Sequence, residues 1–109
     1  FGFLAELREQ YEEAIARYGK AIELGAEQHD RYVLSLALNN RANVWQRIGE
    51  LDAAEIDLRS LLVEADDNSR IAGLAQHNLG SVLGQKGSVR EAMERIERAA
   101  VALEGHGID

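Results

Sequence analysis

The sequence lacks cysteine and proline altogether, and aromatic residues make up only 6% of its 109 residues. A chain without cysteine has no disulfide framework, no thiolate nucleophile and no cysteine-ligated zinc, so we expect a reducing compartment and a cytoplasmic location. No apolar run approaches the roughly 18 residues that predict a membrane span. Basic runs are missing and the formal net charge is -7. This domain is therefore not expected to bind nucleic acid, which is held mainly by Lys and Arg.

The composition that remains favours a packed helical domain. Apolar residues make up 46% and charged residues 28% of the chain, which is ordinary for one modest soluble domain covering residues 1–109. Most of the apolar residues are Ala, Leu, Ile and Val, and Ala and Leu are good helix formers. The start, Phe1 to Leu4, has neither an initiator methionine nor the basic beginning of a signal peptide. We expect residue 1 to be a cut inside a longer protein.

An internal repeat organises the chain. A shift of 38 positions superimposes identical residues without a gap, among them Ala37 on Ala75, Asn40 on Asn78, Val44 on Val82, Gly49 on Gly87 and Ala54 on Ala92. A further shift of 40 positions places Ala14 on Ala54. Three copies result, covering approximately 1–28, 29–67 and 68–106, of which the first is partial. Repeats of this length are typical of solenoid proteins.

Each full copy reads as two helices. Apolar residues recur in steps of three and four, which predicts helices at about 10–26, 30–48, 51–66, 69–86 and 88–104. Gly49 and Gly87 stand where the first helix of a pair must end and the chain reverse, because glycine accepts the left-handed conformation. Asp30 and the 67–69 cluster offer N-cap oxygens for the following helices. The apolar faces also include Tyr18 and Trp45, which we expect in the core.

The third copy resembles the tetratricopeptide repeat, a helix-turn-helix unit of about 34 residues. The pattern consists of a leucine-glycine pair, an apolar first-helix position, a turn glycine and three second-helix positions: Leu79-Gly80, Leu83, Gly87, Ala92, Ile96 and Ala99. The longer period is similar to repeats found in multidomain bacterial regulators and scaffold proteins. The resemblance implies an all-α superhelix of stacked antiparallel helix pairs, here about five full helices plus an N-terminal helix fragment. In copy two, Arg41 replaces the preferred leucine, so we expect its stem to pack with its head in water, or the copy to be displaced locally.

The sequence contains no recognisable set of catalytic residues, so we expect the domain to be neither an enzyme nor a cofactor-binding protein. Nucleophilic catalysis needs a Ser, Cys or Thr beside a base, but the three histidines, His29, His77 and His106, are scattered. The same scatter argues against a metal site. Gly80, Gly84 and Gly87 follow a helical period with no strand before them, so they indicate close helix packing and not a phosphate loop.

The polar side of the first helices is the candidate binding surface. Asparagine is a mediocre helix former, yet three lie within five residues of copy two, and each amide offers a donor and an acceptor. The resemblance implies that such asparagines, here Asn40, Asn43 and Asn78, line a concave groove and hold an extended peptide. The predicted groove residues are Asn39, Asn40, Asn43, Arg47, His77, Asn78, Ser81 and Gln85. Alternatively, Asn40 and Asn78 satisfy backbone groups between repeats; if they bind a peptide, their amides should be free.

Two functions follow as hypotheses. The first is a scaffold module that binds a protein or peptide in this groove, although a basic clamp for a carboxyl terminus is not expected, since only Arg47, with Arg41 or Lys86, could serve it. The second is a structural module that spaces other domains or self-associates as a homo-oligomer through uncapped terminal helices. Terminal repeats need a neighbour or a polar cap over their apolar faces. Phe1, Phe3 and Leu4 at one end and Val101 and Leu103 at the other would lack such cover.

Overall fold

Five α-helices make up the part of the chain that the structure describes. The computed structural model describes the backbone of residues 2–66 and 69–106, with side chains over 6–66, 69–88 and 90–103. The helices are α1 (Gly2–Glu27), α2 (Arg31–Arg47), α3 (Leu51–Glu64), α4 (Arg70–Gln85) and α5 (Val89–His106), and these residues include no strand. The predicted all-helical class is confirmed, and α2 to α5 each begin and end within two residues of the predicted positions.

The first helix differs from the prediction. It begins at Gly2 and runs unbroken to Glu27, so the expected short helix before residue 10 does not exist as a separate element. The repeat places Glu9 where the later copies have Gly49 and Gly87. Glutamate is a good helix former and disfavours the left-handed conformation that a turn requires, so the helix continues through this position.

The turns form as the residue types predict. Gly49 and Gly87 have φ values of +85° and +91°, the left-handed conformation that closes α2 and α4. The Asp30 carboxylate accepts a hydrogen bond from the Val33 N–H at 3.0 Å, and the Ser69 hydroxyl accepts one from the Ala72 N–H at 3.2 Å. Both side chains thus satisfy an N–H group that a helix start leaves unpaired.

Each helix packs against the next one, and α2 also packs against α4. The centre of the core lies between α3 and α4, where the side chains with no exposed surface are concentrated. These are Ala54, Leu58 and Leu61 of α3 and Ala75, Leu79 and Val82 of α4. Half-buried Trp45 borders this cluster. Tyr18 is also half-buried, but it is not among the side chains that pack against this cluster, so the expected core position is not met for Tyr18.

Gly80 marks a close approach of α4 to α5. A Cβ on Gly80 would lie 2.7 Å from Cγ1 of Ile96, a distance that real Cβ atoms essentially never show, and 3.0 Å from the carbonyl oxygen of Ala92, which is at the tight limit of real contacts. Gly84 is less restricted, since its nearest neighbour would be the Ala92 Cβ at 3.9 Å. The expectation of close helix packing is therefore confirmed for Gly80 but not for Gly84, and Gly87 is a turn residue with no atom near its Cβ position.

Several residues on the predicted apolar faces are partly exposed. Leu74 is 37%, Ile48 39%, Ile96 43% and Met93 60% exposed. Ile96 corresponds in the repeat to Leu58, which is fully buried because α4 covers α3. Within the described residues no helix covers the equivalent side of α5. The periodicity of the sequence therefore identified an apolar side of α5 that remains exposed to solvent.

Candidate functional site

The predicted groove residues lie on α2 and α4, whose backbones run side by side. Two bonds between their side chains join residues that are 39 positions apart, Asn39 with Asn78 and Gln46 with Gln85. In each helix the two residues are seven apart, close to two helical turns, so they lie on one side. The helices are therefore parallel and in register along their length.

We call the exposed side of this helix pair the α2–α4 face. Its members follow one another in steps of three or four residues, which places them on one side of each helix. They are Tyr32, Leu36, Asn40, Asn43 and Arg47 of α2 and Arg70, Leu74, His77, Ser81 and Gln85 of α4.

Asn39 and Asn78 form the first bridge between the two helices. The Asn78 Nδ2 donates to Oδ1 of Asn39 at 2.9 Å, and Asn39 is only 8% exposed. A buried amide without a partner would destabilise the fold, so this bond explains how an asparagine can lie there. Asn39 is therefore a structural residue and not an open groove contact. The expectation of a free Asn78 amide is wrong for its N–H group.

Gln46 forms the second bridge, two turns further along α2. Its Nε2 donates to Oγ of Ser81 at 3.0 Å and to Oε1 of Gln85. The sequence places Gln46 on the polar side but does not single it out, because no local signal shows that it reaches two residues of the next copy. Ser81 and Gln85 are thus held in place at the seam between the helices, although both remain exposed.

Four predicted residues keep their side chains unengaged. Asn40, Asn43, Arg47 and His77 form no side-chain hydrogen bond or ion pair with the described residues; the two asparagines are half-buried, and Arg47 and His77 are exposed. Asn40 therefore meets the expectation of a free amide. A half-buried amide with both its donor and its acceptor available is suited to pair with the C=O and N–H groups of another chain.

Three apolar side chains share this face and were missed as site residues. Tyr32 is 69%, Leu36 38% and Leu74 37% exposed. They lie towards the amino-terminal ends of α2 and α4, while Asn43, Arg47 and Ser81 lie towards the carboxyl-terminal ends. The four-residue spacing of Tyr32, Leu36 and Asn40 in the sequence indicates a shared side, and could have connected them to the asparagines.

Arg41, which stands where the repeat pattern prefers leucine, forms an ion pair with a carboxylate on α3. Its Nε and Nη2 donate to the two carboxylate oxygens of Asp57 at 2.8 and 2.7 Å, and the Asp57 side chain is 4% exposed. This hydrogen-bonded pair raises the pKa of Arg41 further above its already high value, against the opposing effect of burial. The expectation that the head lies in water is wrong, because Asp57 holds the guanidinium with two hydrogen bonds and supplies the opposite charge. The alternative expectation, a local displacement of the second copy, stays a prediction.

A second ionic network ties α3 to the later helices. Lys86 Nζ contacts Glu55 Oε1 at 2.8 Å and also Asp52, while Arg59 bonds Glu55 at 2.8 Å and Glu91 at 2.9 Å. The hydrogen bond from Lys86, followed by that from Arg59, lowers the pKa of Glu55. Arg41 and Lys86 are therefore already paired with carboxylates of the protein. Of the three cations considered for a carboxylate clamp, Arg47 alone is unpaired among the described residues.

Two other cavities lie away from this face. A groove of about 500 Å³ between α1 and the end of α2 is largely apolar and is lined by Leu7, Arg8, Tyr11, Glu12, Ile15, Trp45, Ile48 and Glu50. A cleft of about 610 Å³ between α4 and α5 is lined by Ala72, Gln76, Glu94, Glu97, Arg98, Val101 and Ala102. Neither lining includes a Ser, Cys or Thr side chain. The described residues also contain no group of three His, Asp or Glu side chains that could hold a metal ion.

Comparison with known proteins gives no relative. No protein-family model matches the sequence, and neither a curated protein nor a solved structure matches the chain. The resemblance to tetratricopeptide repeats accordingly stands on the residue pattern alone. Over the described residues, no helix is both long and apolar enough to cross a membrane.

Proposed function

We propose that the chain is a tetratricopeptide-like repeat module that binds an extended segment of another polypeptide on the α2–α4 face. The observation that carries the proposal is the pair of unengaged, half-buried amides of Asn40 and Asn43 on this face. The stacking of α2 on α4 supports it, because first helices that pack in register form the continuous inner surface of a superhelical solenoid. The proposal is of a binding module without catalytic activity.

The bridges between the helices would make this surface a preformed one. Asn39 with Asn78, and Gln46 with Ser81 and Gln85, hold α2 and α4 at a constant spacing before any ligand arrives. A preformed surface loses less conformational entropy on binding than a flexible one. The unengaged amides could then exchange water for the backbone groups of an extended peptide, at a net gain of about 0.5 to 1.5 kcal/mol for each hydrogen bond.

A displayed library of random peptides tests the proposal without knowledge of the natural partner. The immobilised 109-residue chain should enrich a set of peptides, and the Asn40→Ala/Asn43→Ala variant should bind each about 1 to 3 kcal/mol more weakly, since two amide contacts are lost. Exposed Gln10 and Gln28 of the α1 region provide the matched control, and Gln10→Ala/Gln28→Ala should bind like the wild type. Helical circular dichroism should be the same for all three proteins.

The result that contradicts the proposal is equally clear. If no peptide is enriched above background, or if the enriched peptides bind the asparagine variant as tightly as the wild type, the α2–α4 face is not the binding surface. Asn78 is unsuited to this test, because its removal would leave the buried Asn39 oxygen without its donor and would change stability as well as binding.

Self-association is the second candidate, and the exposed apolar residues of the terminal helices favour it. On α5, Met93 and Val101 are 60% and 71% exposed, and α1 forms one wall of the apolar groove beside Trp45. Leu103 is half-buried, whereas Phe1, Phe3 and Leu4 lie outside the described side chains. Closed two-fold pairs are the commonest oligomers, so we expect a dimer joined through like ends. Sedimentation equilibrium decides the point: a stable monomer at tens of micromolar would eliminate this candidate.

A further inference from the structure

The two helices of the α2–α4 face contain no Asp or Glu, although the protein as a whole is acidic. All 19 Asp and Glu residues lie outside α2 and α4, which carry Arg31, Arg41, Arg47 and Arg70. In a chain of net charge -7, the acidic residues therefore lie in α1, α3 and α5, in the segments between helices, and at position 109 after α5. Such segregation leaves the α2–α4 face without a carboxylate of its own.

Two arginines on this face are available to a ligand. Arg41 is committed to Asp57, but Arg47 and Arg70 are exposed and form no ion pair with a described residue. Exposed His77 lies between them along the helix direction. Asp30, the nearest acid before α2, accepts the N-cap hydrogen bond from Val33. A planar guanidinium binds a carboxylate through two parallel hydrogen bonds, which makes unpaired arginines natural partners for acidic side chains.

The register of the helices gives the spacing of these charges. The 39-residue offset places Arg47 level with Lys86, sixteen residues beyond Arg70 along α4. At about 1.5 Å per helical residue the two arginines are about 24 Å apart along the helix direction, which about seven residues of extended chain would span. Tyr32, Leu36 and Leu74 offer apolar contact nearer the Arg70 end.

We infer that the occupant of the α2–α4 face is an acidic polypeptide segment with carboxylate side chains for Arg47 and Arg70 and an apolar side chain for Tyr32, Leu36 and Leu74. This inference rests on the proposed function and names the chemistry of its partner. Charge complementarity selects the segment, and the apolar contacts set its position. Two free arginines are too few for a nucleic-acid backbone, whose affinity depends on many neutralised phosphates.

The test uses a random 12-residue library displayed between two folded segments of a coat protein, so that no peptide offers a free carboxyl terminus. Wild-type chain should recover peptides rich in Asp and Glu that flank an apolar residue. For the best of them, the Arg47→Gln/Arg70→Gln variant should bind about 2- to 30-fold more weakly, the range expected for two exposed ion pairs. Arg17 and Arg90, exposed and unpaired among the described residues of α1 and α5, provide the control: Arg17→Gln/Arg90→Gln should bind like the wild type.

The salt dependence of the affinity distinguishes a loss of ion pairs from a general loss of shape complementarity. Raising the salt concentration from about 0.1 M to 1 M shortens the screening length from about 10 Å to 3 Å. The wild type should then lose affinity for the acidic peptides, while the arginine variant should change little.

Each other outcome is decisive. Enriched peptides that are neutral or basic would overturn this inference and leave the proposed function standing, whereas failure to enrich any peptide would overturn both. Acidic peptides that bind the Arg47→Gln/Arg70→Gln variant as tightly as the wild type would show that the carboxylates are recognised elsewhere. Enrichment only of nucleic acid in a parallel selection would replace the polypeptide partner by a polyanion.

Discussion

The ion pair between Arg41 and Asp57 yields the sharpest prediction about stability. Asp57 has a side chain that is 4% exposed, and both of its oxygens accept hydrogen bonds from Arg41. Arg41→Met removes the cation and leaves a buried carboxylate without a partner. Such a change typically destabilises a protein by about 3 to 5 kcal/mol, which is a large part of the 5 to 15 kcal/mol that stabilises an ordinary domain.

The reverse substitution should be milder, because the two side chains are buried to different extents. The Arg41 side chain is 25% exposed and that of Asp57 only 4%, so an unpaired Arg41 after Asp57→Leu is less desolvated than an unpaired Asp57 after Arg41→Met. We expect a loss of about 1 to 3 kcal/mol, the range for a partly desolvated group that loses its partner. The double variant Arg41→Met/Asp57→Leu should lie within about 1 kcal/mol of the wild type or above it, because a hydrophobic replacement often equals a buried ion pair.

Urea unfolding measures all four proteins on the same scale. The change is followed by circular dichroism and by the fluorescence of Trp45, the only tryptophan, which lies near the ion pair on α2. A loss of 3 kcal/mol should also lower the melting temperature by roughly 12 °C or more. If Arg41→Met loses less than about 1 kcal/mol, or if the two single substitutions simply add in the double variant, the reasoning about a buried, coupled pair is refuted.

Two further predictions concern the packing of α4 and the charge on α3. Gly80→Ala should destabilise the fold by about 1 to 3 kcal/mol in urea unfolding, because its Cβ would overlap Ile96 and the Ala92 carbonyl. Gly84→Ala has room for its Cβ and should be neutral or stabilising, because alanine has the better helix propensity. Equal effects of the two substitutions on the free energy of unfolding would contradict this packing. The lowered pKa of Glu55 means that its carboxylate stabilises the fold above the ordinary value of 4.5 and that this contribution disappears as the pH falls through the lower folded-state pKa. Urea midpoints between about pH 3 and pH 6 should therefore depend less on pH in Glu55→Gln than in the wild type. Glu64→Gln, exposed at the end of the same helix, should keep the wild-type dependence.

The helices could be predicted from the sequence because their limits depend on neighbouring residues. Gly49, Gly87, Asp30 and Ser69 act within one turn of their own positions, and the structure confirms each of them. The start of α1 could not be inferred from the repeat, since Glu9 stands where the other two copies have a turn glycine. Here the local preference of the residue decided the structure over the analogy with the other copies.

The site was predictable only in part, because its contacts depend on how distant segments align. The polar side of α2 and α4 follows from helical periodicity, but the bonds from Asn39 to Asn78 and from Arg41 to Asp57 require the tertiary register of three helices. Leu74 illustrates the same limit. It lies three residues after Ile71 on the apolar side, but also four after Arg70 and three before His77 on the α2–α4 face, and the structure leaves it 37% exposed between the two sides.

The packing of each helix on its successor also has a consequence for how the chain acquires its structure. Apart from the α2–α4 contact, backbone packing among the described residues joins only helices that follow each other in the chain. Loop closure between such neighbours requires little ordering of intervening chain, so the topology favours rapid folding. It also permits growth outward from the α3–α4 centre, with α1 and α5 added last and released first when the chain opens. A segment that binds across α2 and α4 would then connect a helix of this centre to a helix that packs on it from outside, and would resist opening between the two.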